Sequence, residues 1–287
     1  GAVVDGGFGQ AGAHVAAVDG RSHVRLSVEL GDCKNHSASR ALVERQRLFW
    51  FILRHNVLIR PRDETAQESA LSHRFSQSLK AQNQAAWNAC TKHRFIAEMM
   101  DGTLDDAVLR RYLVQDYQFI NQFGALLGAA IASADVFAPR VTLSQFAAMI
   151  TSDENTYFIR SFDALGVPEQ DRVLPQLTLP TVGFQALMAE AARSQKYANC
   201  LAVLCVAEGL YLDGFDKPLA AMPPRFEHAE WIHLHANDFF RGFVAWLRAE
   251  LDRIGEQIDP PAREEAADFF CRAVELERQF FDHVYQA

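Results

Sequence analysis

Residues 201–212 read Leu201-Ala202-Val203-Leu204-Cys205-Val206-Ala207-Glu208-Gly209-Leu210-Tyr211-Leu212, an apolar run interrupted by one acid. A segment apolar on nearly every side has no solvent face, so this run predicts a helix enclosed by other helices. Glu208 is then expected to be buried. Burial of an acid is costly unless it is paired, and desolvation raises its pKa, which marks Glu208 as an acid/base group. Tyr211 lies one turn further on, on the same face.

Outward from this run, apolar residues recur at helical spacing, as in Leu109, Leu113, Ile120, Phe123, Leu127 and Ile131. The pattern predicts helices over roughly 76–100, 104–133, 139–164, 181–194, 197–220, 227–256 and 260–285. Pro139, Pro168, Pro175, Pro180, Pro218 and the Pro223–Pro224 and Pro260–Pro261 pairs are expected to fall in the gaps, where a missing N–H does no harm. Thr181 and Asp259 are the expected N-caps of the fourth and seventh helices. No strand run occurs after residue 75, so residues 76–287 are expected to form an all-α domain.

Residues 1–75 form an extension that resists the same reading. Val24 to Leu30 alternates like a half-buried strand, and 38–56 has the spacing of an amphipathic helix. Pro61 to Glu68 reads as a linker. Gly7-Phe8-Gly9-Gln10-Ala11-Gly12 matches GxGxxG, but neither a buried strand before it nor a βαβ series after it is present.

Composition narrows the function. Over 287 residues the chain is 49% hydrophobic and 22% charged, which argues against wholesale disorder, and its net charge of −8 argues against nucleic acid or an anionic membrane as partner. Five cysteines without a CxxC pair fit reduced thiols. No uninterrupted apolar run reaches a bilayer's length, no secretory signal is evident, and a cytoplasmic location is expected. Glu230-Trp231-Ile232-His233 is an ExxH pair, but a carboxylate-bridged di-metal site needs two; no metal or other cofactor is expected. His93 reads as a capping or surface histidine rather than a haem ligand.

Three further segments carry acids in apolar, aromatic settings. These are Tyr112 to Phe119 around Asp116, Trp231 to Phe240, and Glu275 to Phe281 around Glu277. Together with His93-Arg94-Phe95 and Asp101-Gly102-Thr103-Leu104 they resemble, in order, the motifs of the TenA/thiaminase II family. The resemblance covers roughly residues 76–287. It implies a haem-oxygenase-like helical bundle, a homodimer or homotetramer, and cofactor-independent cleavage of aminopyrimidines in thiamin salvage. Many members use a cysteine four residues before a tyrosine; here that position is Ala207, followed by Glu208, as in a glutamate-type branch.

Carried over residue by residue, the resemblance implies that Asp116 binds the amino-pyrimidine edge and Glu277 a ring nitrogen. Glu208 would act at the exocyclic methylene, Tyr211 would orient an acid, and Phe119, Phe184, His235 and Phe281 would line the ring slot. The implied reaction is hydrolysis of 4-amino-5-aminomethyl-2-methylpyrimidine, or its N-formyl derivative, to the hydroxymethyl compound. The rival expectations are a metal-dependent oxidase on the same scaffold and a protein that binds a pyrimidine without turnover.

Overall fold

The computed structural model describes residues 74–286 together with two short strands, β1 (His14–Ala16) and β2 (Arg25–Ser27). The strands pair antiparallel, with Val15 opposite Leu26, and β2 falls inside the alternating Val24 to Leu30 stretch. The GxGxxG segment, the amphipathic stretch 38–56 and the linker 61–68 lie outside the described residues. The chain divides into two units, Gly1–Arg62 and Asp63–Ala287.

From residue 74 onward the described residues form helices and no strand. These are α1 (Phe75–Gln82), α2 (Gln84–Thr91), α3 (Arg94–Asp101), α4 (Asp106–Tyr117), α5 (Phe119–Ser133) and α6 (Phe137–Met149). A π-helical turn, Ile150–Glu154, joins α6 to α7 (Asn155–Ala164). There follow α8 (Glu169–Val173), α9 (Leu179–Ser194), α10 (Tyr197–Phe215), α11 (Phe226–His235), α12 (Asp238–Gly255) and α13 (Pro260–His283).

α10 contains the opening run and is the axis of the bundle. Every residue from Tyr197 to Phe215 is buried except Asp213. It packs against α13, α12, α9, α2 and α5. Among the described residues it is also the one helix long and apolar enough to cross a membrane, yet 94% of it is buried within the fold, as a core helix is. Small residues admit its neighbours: a Cβ on Gly209 would lie 3.2 Å from the Trp87 ring, and one on Gly214 3.3 Å from Ile96.

Several predicted helices are subdivided, each for a local reason. The first breaks at Asn83 and again at His93, whose Nδ1 accepts the Phe95 N–H at 3.1 Å and caps α3. The second bends at Gln118, whose side chain donates to the Val114 and Arg172 carbonyls while its own carbonyl accepts from Gln185. The sixth breaks after His235, where Asn237 caps α12 through the Phe240 N–H. Asp259 caps α13 as expected, donated to by Ala262 N–H at 2.9 Å. The fourth helix begins earlier than expected: Thr178, not Thr181, is its cap, and Pro180 occupies the first turn, where no N–H is needed.

At the C-terminus of α12, Gly255 meets α1 so closely that an added Cβ would stand 2.8 Å from the Phe75 Cβ. Gly255→Ala must therefore push α1 outward. We expect thermal unfolding to show a loss of about 1–3 kcal/mol, with the cavity described next unaffected, because neither residue lines it.

Candidate active site

A cavity of about 70 Å³ lies between α10 and the helices around it, lined by residues of α4, α5, α9, α10, α11, α12 and α13 and of the segment from Met149 to Glu154. A water needs about 10–15 Å³ on this scale, so the space suits several waters or one small ring. Seven of the eight residues expected at the site line it: Asp116, Phe119, Phe184, Glu208, Tyr211, His235 and Glu277. Phe281 does not. Its ring is buried behind the wall, parallel to Tyr112 at 6.3 Å and packed 5.9 Å from Tyr211.

Each acid is delivered by a different element. Asp116 occupies the last turn of α4 and Glu208 the middle of α10, while Glu277 comes from α13. Glu208 and Glu277 are only 7% and 3% exposed, although neither forms an ion pair with a described residue. Other acids of the fold do have cations: the half-buried Asp213 meets Lys80 and Arg248, and the buried Glu227 and Glu250 meet Arg225 and Arg253. Those partners hold Asp213 and Glu227 below the usual carboxylate range despite burial. The acids of the cavity go the opposite way.

Burial pushes Glu277 up to about 8. Glu208 is raised well above its ordinary value by burial first, then by Glu154, Glu277 and Asp116. Asp116 is likewise raised well above the usual range by burial and by Glu154 and Glu277, the Tyr112 hydroxyl acting in the other direction. A dry cluster of like charges cannot all ionise, so protons are retained at neutral pH. Glu277 also has one carboxyl oxygen, Oε2, buried without any hydrogen-bond partner, and Trp231 has its Nε1 donor in the same condition. Both residues line the cavity. Such orphaned groups are rare in native interiors and are satisfied when a ligand supplies the missing donor or acceptor.

Aromatic residues form the walls. Phe119 and Phe184 meet edge to face at 5.4 Å, while Tyr211, Trp231 and Phe240 gather around His235. The His235 Nδ1 donates to the Trp231 carbonyl at 2.9 Å, and burial lowers its pKa to about 4, so the ring is neutral at pH 7. The Tyr211 hydroxyl is paired with that of Tyr112 at 2.8 Å.

Ala207 lines the cavity beside Glu208, and among the described residues no cysteine does. Cys205 is buried elsewhere, and burial pushes its thiol up to about 12, which removes the thiolate a nucleophile would need. The ExxH pair is a surface feature: Glu230 makes a bidentate pair with Arg160, and His233 is exposed. Among the described residues no group of three or more His, Cys, Asp or Glu side chains is placed to hold a metal ion.

The sequence reading missed Glu154, which lines the cavity from the end of the π-helical turn. Burial pushes its carboxyl up to about 7. The turn has a local cause. Thr151 and Ser152 donate side-chain hydrogen bonds to the Ala147 and Ala148 carbonyls at 3.0 and 2.8 Å, satisfying backbone groups that the widened turn would strand.

Fold and site together define a haem-oxygenase-like helical bundle with a carboxyl-lined, cysteine-free cavity at its centre. A family model matches residues 80–287, and the chain belongs to the TENA/THI-4/PQQC family. It is 21% identical over 214 residues to the aminopyrimidine aminohydrolase of Halalkalibacterium halodurans, covering 74% of this chain and 95% of that protein. The structure resembles a TenA family transcription regulator from Silicibacter sp. TM1040, with a TM-score of 0.67 and 20% identity over 76% of this chain and all of that one. It also resembles a domain of unknown function with a haem oxygenase-like fold from Shewanella denitrificans, with a TM-score of 0.52 and 15% identity over 73% and 91% of the two chains.

Proposed function

We propose that this protein is a cofactor-independent aminopyrimidine hydrolase of thiamin salvage, releasing ammonia from 4-amino-5-aminomethyl-2-methylpyrimidine to give the hydroxymethyl compound. The observation that carries the reading is the meeting of Glu208 and Glu277 in one dry, aromatic-walled cavity without a counter-ion. The similarity to the aminopyrimidine aminohydrolase of Halalkalibacterium supports a reaction of this class.

The chemistry requires a poor nitrogen leaving group to depart and water to take its place. A carboxyl in its neutral form gives its proton to a ring nitrogen and polarises the ring, while the amine, which arrives protonated, leaves as ammonia with the electron pair of the C–N bond. An ionised carboxyl takes the proton of the water that attacks the exocyclic methylene. Acids whose environments separate their proton affinities divide this labour. Glu208 is assigned to the methylene, Glu277 to a ring nitrogen through its unpartnered Oε2, and Asp116 to the amino edge. Phe119 and Phe184 bind the flat ring and exclude water, which strengthens every charge interaction inside.

We further propose that the protein acts in the cytoplasm as a homodimer or homotetramer. The direct test of the activity is a turnover screen of thiamin and its pyrimidine fragments, read by mass spectrometry. Ammonia release from the aminomethyl compound, with intact thiamin left uncleaved, is the expected result. Saturable binding of every fragment without a product would establish the non-catalytic alternative, for which the lack of wall hydroxyls at Phe119 and Phe184 is the favouring observation.

A further inference from the structure

Glu154 is the acid of the cavity to which the proposed reaction gives no task. It shares that cavity with Asp116 from α4, Glu208 and Tyr211 from α10, His235 from α11 and Glu277 from α13. None of these is a cation: four are acids or a phenol with raised pKa, and His235 is neutral with its Nδ1 proton committed to a backbone carbonyl. No lysine or arginine lines the cavity among the described residues. Any positive charge there must arrive with the ligand. Glu154 is also the strongest charged influence on both Asp116 and Glu208, ahead of Glu277 in each case. It therefore stands where it reaches two of the reacting acids, on a kind of backbone turn that recurs at functional sites.

We propose that Glu154 is a specificity-determining residue that seats the ammonium group of a cationic aminomethylpyrimidine, so that the cavity favours the charged amine over its neutral N-formyl derivative. The inference rests on the aminopyrimidine reading of the site. An aliphatic primary amine is protonated at neutral pH, whereas a formamide nitrogen is not. An acid that loses its proton to the solvent near neutrality gains most from an ammonium partner, because a charge-assisted hydrogen bond in a dry site is stronger than a neutral one.

The test compares wild type with Glu154→Gln and Glu154→Asp at pH 7, using the aminomethyl and N-formyl compounds as substrates and the neutral hydroxymethyl compound as competitive inhibitor. Glu154→Gln is expected to raise KM for the aminomethyl compound by about thirty-fold or more, while values for the two neutral compounds move by less than about threefold. Glu154→Asp, which keeps the charge, should recover part of the loss. Equal changes for charged and neutral compounds, or no change for any, would overturn the assignment. Should wild type turn over neither substrate, the hydrolase reading fails, and the charge preference is then read by calorimetry. Wild type should bind the aminomethyl compound more tightly than the hydroxymethyl compound and Glu154→Gln should level the two; a preference that survives the substitution contradicts the proposal.

Discussion

Glu208→Gln is expected to lower kcat on the aminomethyl compound by about 10²–10⁴-fold with KM little changed, the range spanned by removal of a general acid or base. Glutamine has the same shape and hydrogen-bonding reach but neither gives nor takes a proton at neutral pH. Glu208 has no cation partner to strand, so the substitution leaves no uncompensated charge behind. The side chain opens onto the cavity from a buried helix, and an isosteric change there needs no repacking. Circular dichroism and the melting temperature should therefore match wild type or exceed it. Steady-state kinetics with a folded, inactive variant would support the role; wild-type turnover would remove Glu208 from the mechanism.

Glu277→Gln is expected to cost activity on a similar scale while adding stability in a defined pH window. In the folded protein this carboxyl keeps its proton up to about 8, whereas its ordinary value is 4.5. Between those values the unfolded chain binds fewer protons than the native one, so the contribution of Glu277 to stability falls as pH rises. The amide has no proton to lose. The variant should match wild type near pH 4.5 and gain on it progressively up to pH 8, by a few kcal/mol at most. His235, with a value of about 4 against an ordinary 6.5, titrates across the lower part of this window, but it is present in both proteins and cancels from their difference. Denaturant melts at a series of pH values would read the effect, and a constant difference between the two proteins would show that Glu277 is not held protonated. A site that weakens its own fold to keep an acid protonated is an ordinary trade between stability and function.

The architecture was largely legible because one signal dominated. The run from Leu201 to Leu212 has no polar face, and a helix of that kind has to be enclosed. Interruptions of the surrounding helices were harder to see. Gln118 and His93 end or bend helices through long-range or capping hydrogen bonds that periodicity does not encode. Asn237 sits only two residues past His235 in a stretch that is apolar and aromatic on both sides, so the break was masked.

Most of the cavity's lining was legible in the sequence for a different reason. Asp116, Glu208 and Glu277 each stand out as acids in aromatic or apolar surroundings, a contrast visible without coordinates. Phe281 was expected in the ring slot but lies behind it: adjacent Phe280 and Phe281 both meet Tyr112, and only packing decides that it is Phe281 which also meets Tyr211. Glu154 escaped because it follows Thr151-Ser152-Asp153, a polar run that reads as solvent-exposed surface. The informative clue was the position of that run. Three residues able to bond to their own backbone interrupt a helix between the apolar Phe146–Ile150 and Tyr157–Phe158, which is where a widened turn becomes affordable.

The catalytic proposal is tested most directly by running the reaction in heavy-oxygen water and weighing the product. Hydrolysis through the carboxyl cavity predicts a hydroxymethylpyrimidine whose new oxygen carries the solvent label, formed in step with ammonia. A product whose oxygen comes from dissolved dioxygen, or release of the amine with no oxygen gained from water, would contradict it.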